Sequence, residues 1–244
     1  MSLLKGEGVC KDFGGLRAVH NVDFEVGEGE IVGLVGPNGA GKTTLFNVIS
    51  GYYAPTAGKV RFDGQEIQGL KPFQICRMGI ARTFQVPRPL LKLSVYTNIL
   101  AASLFGRSET TAAVDHPAEV ERIMDFLDLS GLRHMPAANL NVAQRKTLEV
   151  GRTLATAPKV ILLDEVVAGL NPMETDRLMH KVRQIRDNGV TVFFVEHVMR
   201  AVMSISDRIY VLNFGEKIAE GTPEEIGGNP AVIEAYLGSG VHSA

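Results

Sequence analysis

One segment, Gly36-Pro37-Asn38-Gly39-Ala40-Gly41-Lys42-Thr43, constrains this chain more than any other. It fits the pattern G-x-x-x-x-G-K-[ST]. Its glycines let the backbone wrap closely, so that N–H groups point inward at phosphate oxygens. Before it, Ile31-Val32-Gly33-Leu34-Val35 is apolar without alternation, which suits a parallel strand covered on both faces. After it, a helical pattern resumes at Lys42 and runs on through Thr44, and a helix beginning there offers its positive end to the same phosphates. Lys42 can reach the β- and γ-phosphates, and the Thr43 hydroxyl can ligate Mg²⁺.

The flanking pattern predicts an α/β domain. Val22, Phe24 and Val26 alternate with polar residues, a glycine turn at 27–30 follows, and 58–67 reads as a strand pair turning at Asp63-Gly64. From Pro87 to Ala155 the character is helical. Asp115 to Glu119 has the form of a helix start, and Val120, Ile123, Met124 and Leu127 share one face. Leu148, Gly151, Leu154 and Ala155 line a later helix stopped by Pro158. Buried strands return at 160–163 and 190–195, with a helix between them capped by Asn171-Pro172 and lined by Leu178, Val182 and Ile185. A hairpin, 209–212 with 216–220, follows. The expected organisation is one domain, with 1–86 and 156–244 as the catalytic core and 87–155 as an inserted helical subdomain.

At 244 residues the chain can bury one large core. Its formal net charge of -2 leaves no basic surplus of the kind nucleic-acid binders use. Cys10 and Cys76 lie far apart without metal-ligand spacing and read as reduced, packed thiols. No apolar run approaches the ~20 residues needed to span a bilayer. The N-terminus lacks the pattern of a signal peptide. The expectation is a cytosolic chain that serves a membrane only by docking to another protein.

The strand Val160–Leu163 ends in Asp164-Glu165. Asp164 is placed to hold Mg²⁺ and Glu165 to polarise an attacking water, since phosphoryl transfer needs an oriented nucleophile more than covalent help. With both motifs in order, the chain resembles the ATP-binding subunit of an ABC transporter. That resemblance implies a P-loop NTPase (RecA-like) core with an antiparallel β subdomain and an inserted helical subdomain. It implies ATP and Mg²⁺ as cofactors, with Gly36 to Thr44 holding the nucleotide. It assigns Phe13 to stack on adenine, and Gln85, in Arg82-Thr83-Phe84-Gln85, to contact Mg²⁺ and water. Ala168-Gly169-Leu170-Asn171 becomes the D-loop, and His197 the switch histidine at the γ-phosphate. Further segments, Phe13 to Val19, Ser206 to Val211, Gly221-Thr222-Pro223 and Ala235 to Gly238, resemble branched-chain (hydrophobic) amino-acid uptake ATPases. The implied partners are a second ATP-binding subunit, transmembrane permease subunits and an extracytoplasmic solute-binding protein, with the chain peripheral on the inner face of the plasma membrane. Amides or urea are the alternative solutes.

One landmark departs from the family. Its signature reads Leu-Ser-x-Gly-Gln at a helix start and caps the γ-phosphate bound by the opposite subunit. Here the segment is Leu140-Asn141-Val142-Ala143-Gln144. Asn141 can still cap a helix and donate an amide hydrogen bond, with geometry unlike a hydroxyl's. Ala143 places a Cβ where glycine permits close approach. Three readings follow: a heterodimer with unequal ATP sites, which is favoured; a homo- or heterodimer that tolerates Asn141 and Ala143 and works at both sites; or a hydrolysis-poor regulatory subunit. Intact Glu165 and His197 argue against the last. Val166 stands where many relatives have proline, a change of loop stiffness.

Overall fold

The computed structural model describes residues 2–107 and 114–238. Two sheets carry the fold. The first contains β1 (Ser2–Phe13), β2 (Leu16–Gly27), β4 (Ala57–Phe62) and β5 (Gln65–Glu66), in the order β2-β1-β4-β5, and every pairing is antiparallel. The second contains β3 (Ile31–Val35), β6 (Ile80–Arg82), β7 (Val160–Asp164), β8 (Thr191–Val195), β9 (Arg208–Asn213) and β10 (Glu216–Gly221). Its order is β10-β9-β3-β8-β7-β6, parallel except for β10 at one edge.

The unbroken apolar strands of this second sheet follow from cover on both faces. Ile31 and Val35 of β3 join Ile161, Leu163 and Phe194 in one core, together with Val95, Ile99, Val120 and Ile123 from the helices. Val32 and Leu34 point the other way, into a core with Leu4, Phe24, Phe46, Phe193 and Tyr210. Each such buried side chain contributes roughly 1.5–3 kcal/mol.

Helices α1 (Lys42–Ile49), α2 (Pro72–Met78), α6 (Pro172–Asp187), α7 (Met199–Ile205), α8 (Pro223–Gly227) and α9 (Pro230–Gly238) belong to the sheet-bearing parts of the chain. Between β6 and β7 lie α3 (Val95–Gly106), α4 (His116–Phe126) and α5 (Val142–Leu154), which pack on one another. The expected caps are present. The Asp115 carboxylate accepts from the Ala118 N–H, and Asn171 forms a reciprocal capping box with Glu174. Gly151 lies where α5 meets its neighbours, and a Cβ there would stand 3.0 Å from Leu127 and 3.4 Å from Ile99.

The sequence reading missed β1. Gly6 and Gly8 weaken its strand signal, and its pairing with β2 is interrupted by register shifts between Gly6 and Val9. Gly6 is there because the Phe24 ring fills the space: a Cβ would sit 2.1 Å from it. The short β6 and the helices α2, α7, α8 and α9 also went unread.

Candidate functional site

The loop after β3 wraps tightly because its glycines have no alternative. Gly36, Gly39 and Gly41 all have positive φ, at 149°, 79° and 99°. A Cβ on Gly36 would stand 2.0 Å from the Leu212 carbonyl oxygen, and one on Gly41 2.4 Å from that of Ala18. Backbone thus presses on the loop from both sides. Lys42, the first residue of α1, is buried and donates to the carbonyls of Gly36 at 2.7 Å and Pro37 at 2.9 Å. Burial pushes its ammonium below the ordinary lysine range, against the pull of Glu165 and Asp164. Thr43 is exposed at the same helix start, with Thr44 beside it. Phe13 ends β1, partly exposed, with its ring edge-on to Tyr53 at 5.1 Å and the Lys11 ammonium 5.1 Å above it.

Asp164 and Glu165 leave the C-terminal end of β7, where ligands of parallel sheets bind. Asp164 is buried, at 1% exposure. Its Oδ2 accepts from Arg82 Nη2 at 2.6 Å, whereas its Oδ1 is buried without a hydrogen-bond partner among the described residues. Arg82 also donates to Asn47 and Ser50 of the α1 segment and lies over the rings of Phe46, Tyr52 and Phe84. Removing one member of such a buried pair costs about 3–5 kcal/mol.

Glu165 is where the separate landmarks meet. Its Oε2 accepts from Gln85 Nε2 at 2.7 Å, and His197 Nδ1 stands 3.9 Å from the same oxygen. Its backbone has φ of 49°, a left-handed conformation that costs a non-glycine residue roughly 1–2 kcal/mol. Four contacts hold that turn. The Glu165 N–H donates to Val195 O at 2.9 Å, and its carbonyl accepts from Lys146 Nζ at 2.6 Å and the Ala168 N–H at 3.3 Å. The Val167 N–H donates to Glu196 Oε1 at 2.8 Å.

The signature segment lies elsewhere, at the start of α5. Asn141 is the N-cap: its Oδ1 accepts from the Gln144 N–H at 2.8 Å, and Gln144 Oε1 accepts from the Asn141 N–H at 3.0 Å. Val142 is exposed, and its Cγ1 lies 4.0 Å from the position of a Cβ on Gly169. This places Ala143 and its neighbours beside Ala168, Gly169, Leu170 and Asn171, and Leu170, Asn141, Ala143 and Gln144 line one cavity of about 240 Å³. So Gln85, Asp164, Glu165 and His197 converge in one place beside Lys42, while the signature residues bond to each other.

Sequence reasoning missed four charged residues here. Arg82 was quoted only as a neighbour of Gln85. Lys146, Glu149 and Glu196 are all buried. Glu149 Oε1 accepts from the Phe84 N–H at 3.0 Å, so it anchors the residue preceding Gln85. Burial pushes the carboxyls of Glu149 and Glu196 up to about 7. The available signal was the spacing Lys146, Glu149, Thr153, an i, i+3, i+7 polar stripe along one side of the helix.

The chain is similar to known proteins along nearly its whole length. The family model described as ABC transporter matches residues 19–168. The model described as branched-chain amino acid ATP-binding cassette transporter matches residues 216–242. The chain is 42% identical to the high-affinity branched-chain amino acid transport ATP-binding protein BraF of Pseudomonas aeruginosa, over 97% of this chain and 98% of that one. It is 44% identical, over the same shares, to the corresponding protein LivG of Salmonella typhimurium. Among solved structures, a nucleotide-free ATP-binding cassette from an ABC transporter superposes with a TM-score of 0.87 at 33% identity, covering 97% of this chain and 99% of that one. The ADP conformation of such a cassette gives 0.88 at 34% identity, covering 98% and 99%.

Proposed function

The chain belongs to the ABC transporter ATP-binding family, and from that premise we propose that it hydrolyses ATP to energise a membrane permease for uptake of branched-chain or related hydrophobic amino acids. The observation that carries the chemistry is the meeting of Gln85 and His197 at Glu165 Oε2, beside Lys42. The cargo reading rests on the match at residues 216–242 and on the relatives' names.

The backbone of Gly36 to Thr44 and the Lys42 ammonium bind the β- and γ-phosphates. Phe13 offers its exposed ring to the base. Glu165 accepts a hydrogen bond from the attacking water and orients it at the γ-phosphate, while Gln85 and His197 fix that carboxylate and the departing charge. The residues present fit Mg²⁺. Asp164 Oδ1 is a buried carboxylate oxygen with no partner among the described residues, and the Thr43 hydroxyl is an exposed hard donor. Thr43, Asp164 and Gln85 would hold Mg²⁺, which would neutralise phosphate charge there.

The ATP sits between two cassettes, so its binding shifts an open–closed equilibrium, and loss of the γ-phosphate reopens the pair. This chain contributes an intact P-loop half and an altered signature half. The pairing favoured is therefore a heterodimer, in which this P-loop faces a partner's Leu-Ser-x-Gly-Gln. Residues 87–155, with Gln85 and the following loop, pass the motion to the permease. A solute-binding protein delivers the amino acid outside. The chain itself sits on the inner face of the membrane, and no helix among the described residues is long and apolar enough to cross it.

The test is uptake of isotope-labelled leucine in cells lacking this chain. Wild type restores uptake, Glu165→Gln does not, and excess unlabelled isoleucine or valine competes. Restoration by Glu165→Gln would overturn the ATPase reading. Competition by amides or urea alone would overturn the cargo.

A further inference from the structure

Helix α5 carries two features that belong to different sites. Its N-terminus, Asn141 to Gln144, is the signature segment. One turn further on, a stripe of buried polar side chains at 146, 149 and 153 faces inward. Packing alone asks for nothing of the kind, since a buried charge costs free energy unless it is partnered. Both charges in the stripe reach backbone groups of the catalytic loops. Glu149 accepts from the Phe84 N–H, one residue before Gln85. Lys146 donates to the carbonyl of Glu165 at 2.6 Å, and that is the residue whose backbone is held in the left-handed region.

We propose that Lys146 is a positioning residue for Glu165 of its own subunit, pinning the strained backbone turn that aims the Glu165 carboxylate at the attacking water. This rests on the reading that Glu165 orients that water.

The geometry makes the role specific. The Glu165 N–H is already tied to the sheet through Val195 O, so the remaining freedom of the turn is rotation of its carbonyl. Lys146 fixes that carbonyl, because the other bond to it, from the Ala168 N–H, is long at 3.3 Å and comes from the same turn. Burial pushes the ammonium below the ordinary lysine range, against the opposing pull of Glu196, Glu149, Glu165 and Asp164. A misplacement on the order of 1 Å at a water-orienting carboxylate is enough to cost about 100-fold in rate. Lys146 Nζ bonds to the Glu165 carbonyl and therefore acts through Glu165.

The consequence concerns the altered signature. A chain whose Asn141 and Ala143 weaken its service to the partner's nucleotide still needs α5, because the same helix sets its own general base. Helix and signature therefore answer to separate demands.

The test compares wild type, Lys146→Met, Lys146→Arg and Glu165→Gln in the full chain paired with its partner cassette. Lys146→Met is expected to lower kcat about 10- to 100-fold with ATP affinity within about twofold of wild type. Lys146→Arg, which keeps a cationic donor, restores kcat to within about fivefold of wild type. In Lys146→Met, hydrogen exchange at residues 165–168 accelerates while that at 39–43 does not. A kcat for Lys146→Met within twofold of wild type overturns the inference. So does a joint loss of kcat, ATP affinity and thermal stability that Lys146→Arg fails to rescue, which marks Lys146 as structural only. Wild-type hydrolysis by Glu165→Gln would instead overturn the reading of Glu165, and this inference with it.

Discussion

The loop at 36–43 and the segment at 140–144 are both expected to meet phosphate, yet they differ in how much the fold constrains them. The first is enclosed. Backbone from Leu212 and Ala18 lies against Gly36 and Gly41, and Lys42 is tied to two carbonyls of its own loop. Nothing larger than hydrogen fits at either glycine. The second sits at an exposed helix start where Asn141 caps as well as a serine does, and the capping box with Gln144 closes on itself. Local folding makes no demand there that Asn141 and Ala143 fail to meet. On the proposed function, the half that would hold this chain's own nucleotide is thus fixed by its own fold, whereas the half that would be offered to a partner is held only by that partner's requirements.

The strongest way to break this comparison is at the base. Glu165→Gln should lower kcat about 100-fold or more while ATP binding, read with a fluorescent nucleotide, stays intact. An equal fall in affinity would mean that Glu165 binds rather than activates. Next in size is Gly41→Ala. The positive φ alone costs roughly 1–2 kcal/mol, and the contact with the Ala18 carbonyl adds to it, so ATP affinity should fall at least about tenfold. The opposite exchange, Asn141→Ser with Ala143→Gly, sharpens the comparison. It supplies a hydroxyl and removes a Cβ, and hydrolysis by the chain paired with itself should rise about two- to tenfold, the range of one hydrogen bond. No change would mean that the signature already works as it stands.

The smallest expected effect is a pH slope. The Glu149 carboxyl, held up to about 7 by burial, keeps its proton in the folded state to higher pH than in the unfolded chain. Its stabilising contribution is complete below about 4.5, shrinks as pH rises, and is gone above about 7. Glu149→Gln keeps an acceptor for the Phe84 N–H and removes the titration. Its thermal midpoint should therefore fall less than the wild type's between pH 5 and 8, a difference of about 3 kcal/mol at most. An identical slope would show that Glu149 titrates normally.

Apart from β6, the parallel core was legible because its strands are short apolar runs bounded by glycine or acid. The loop was legible because glycine spacing there is enforced by backbone contacts. Gln85 and His197 were legible only through the family's order of landmarks, since nothing in their neighbours says that both turn toward Glu165. The strand β1 was hidden because Gly6 serves the Phe24 ring rather than strand propensity. Lys146, Glu149 and Glu196 were hidden for another reason. A charged residue in a helix, or just after a strand as Glu196 follows β8, reads as solvent-facing by default, whereas the structure shows all three buried and bonded to the turn at 165–168 or to Phe84 beside Gln85.

The most direct test of unequal halves is ATP turnover by the purified chain, alone and then with a co-expressed partner cassette carrying an intact Leu-Ser-x-Gly-Gln. The account predicts slow turnover alone, a rise of about two- to tenfold with the partner, and loss of that rise when this chain carries Glu165→Gln. Full, cooperative hydrolysis by the chain alone would contradict it, because Asn141 and Ala143 would then serve a nucleotide as well as the family's serine and glycine do.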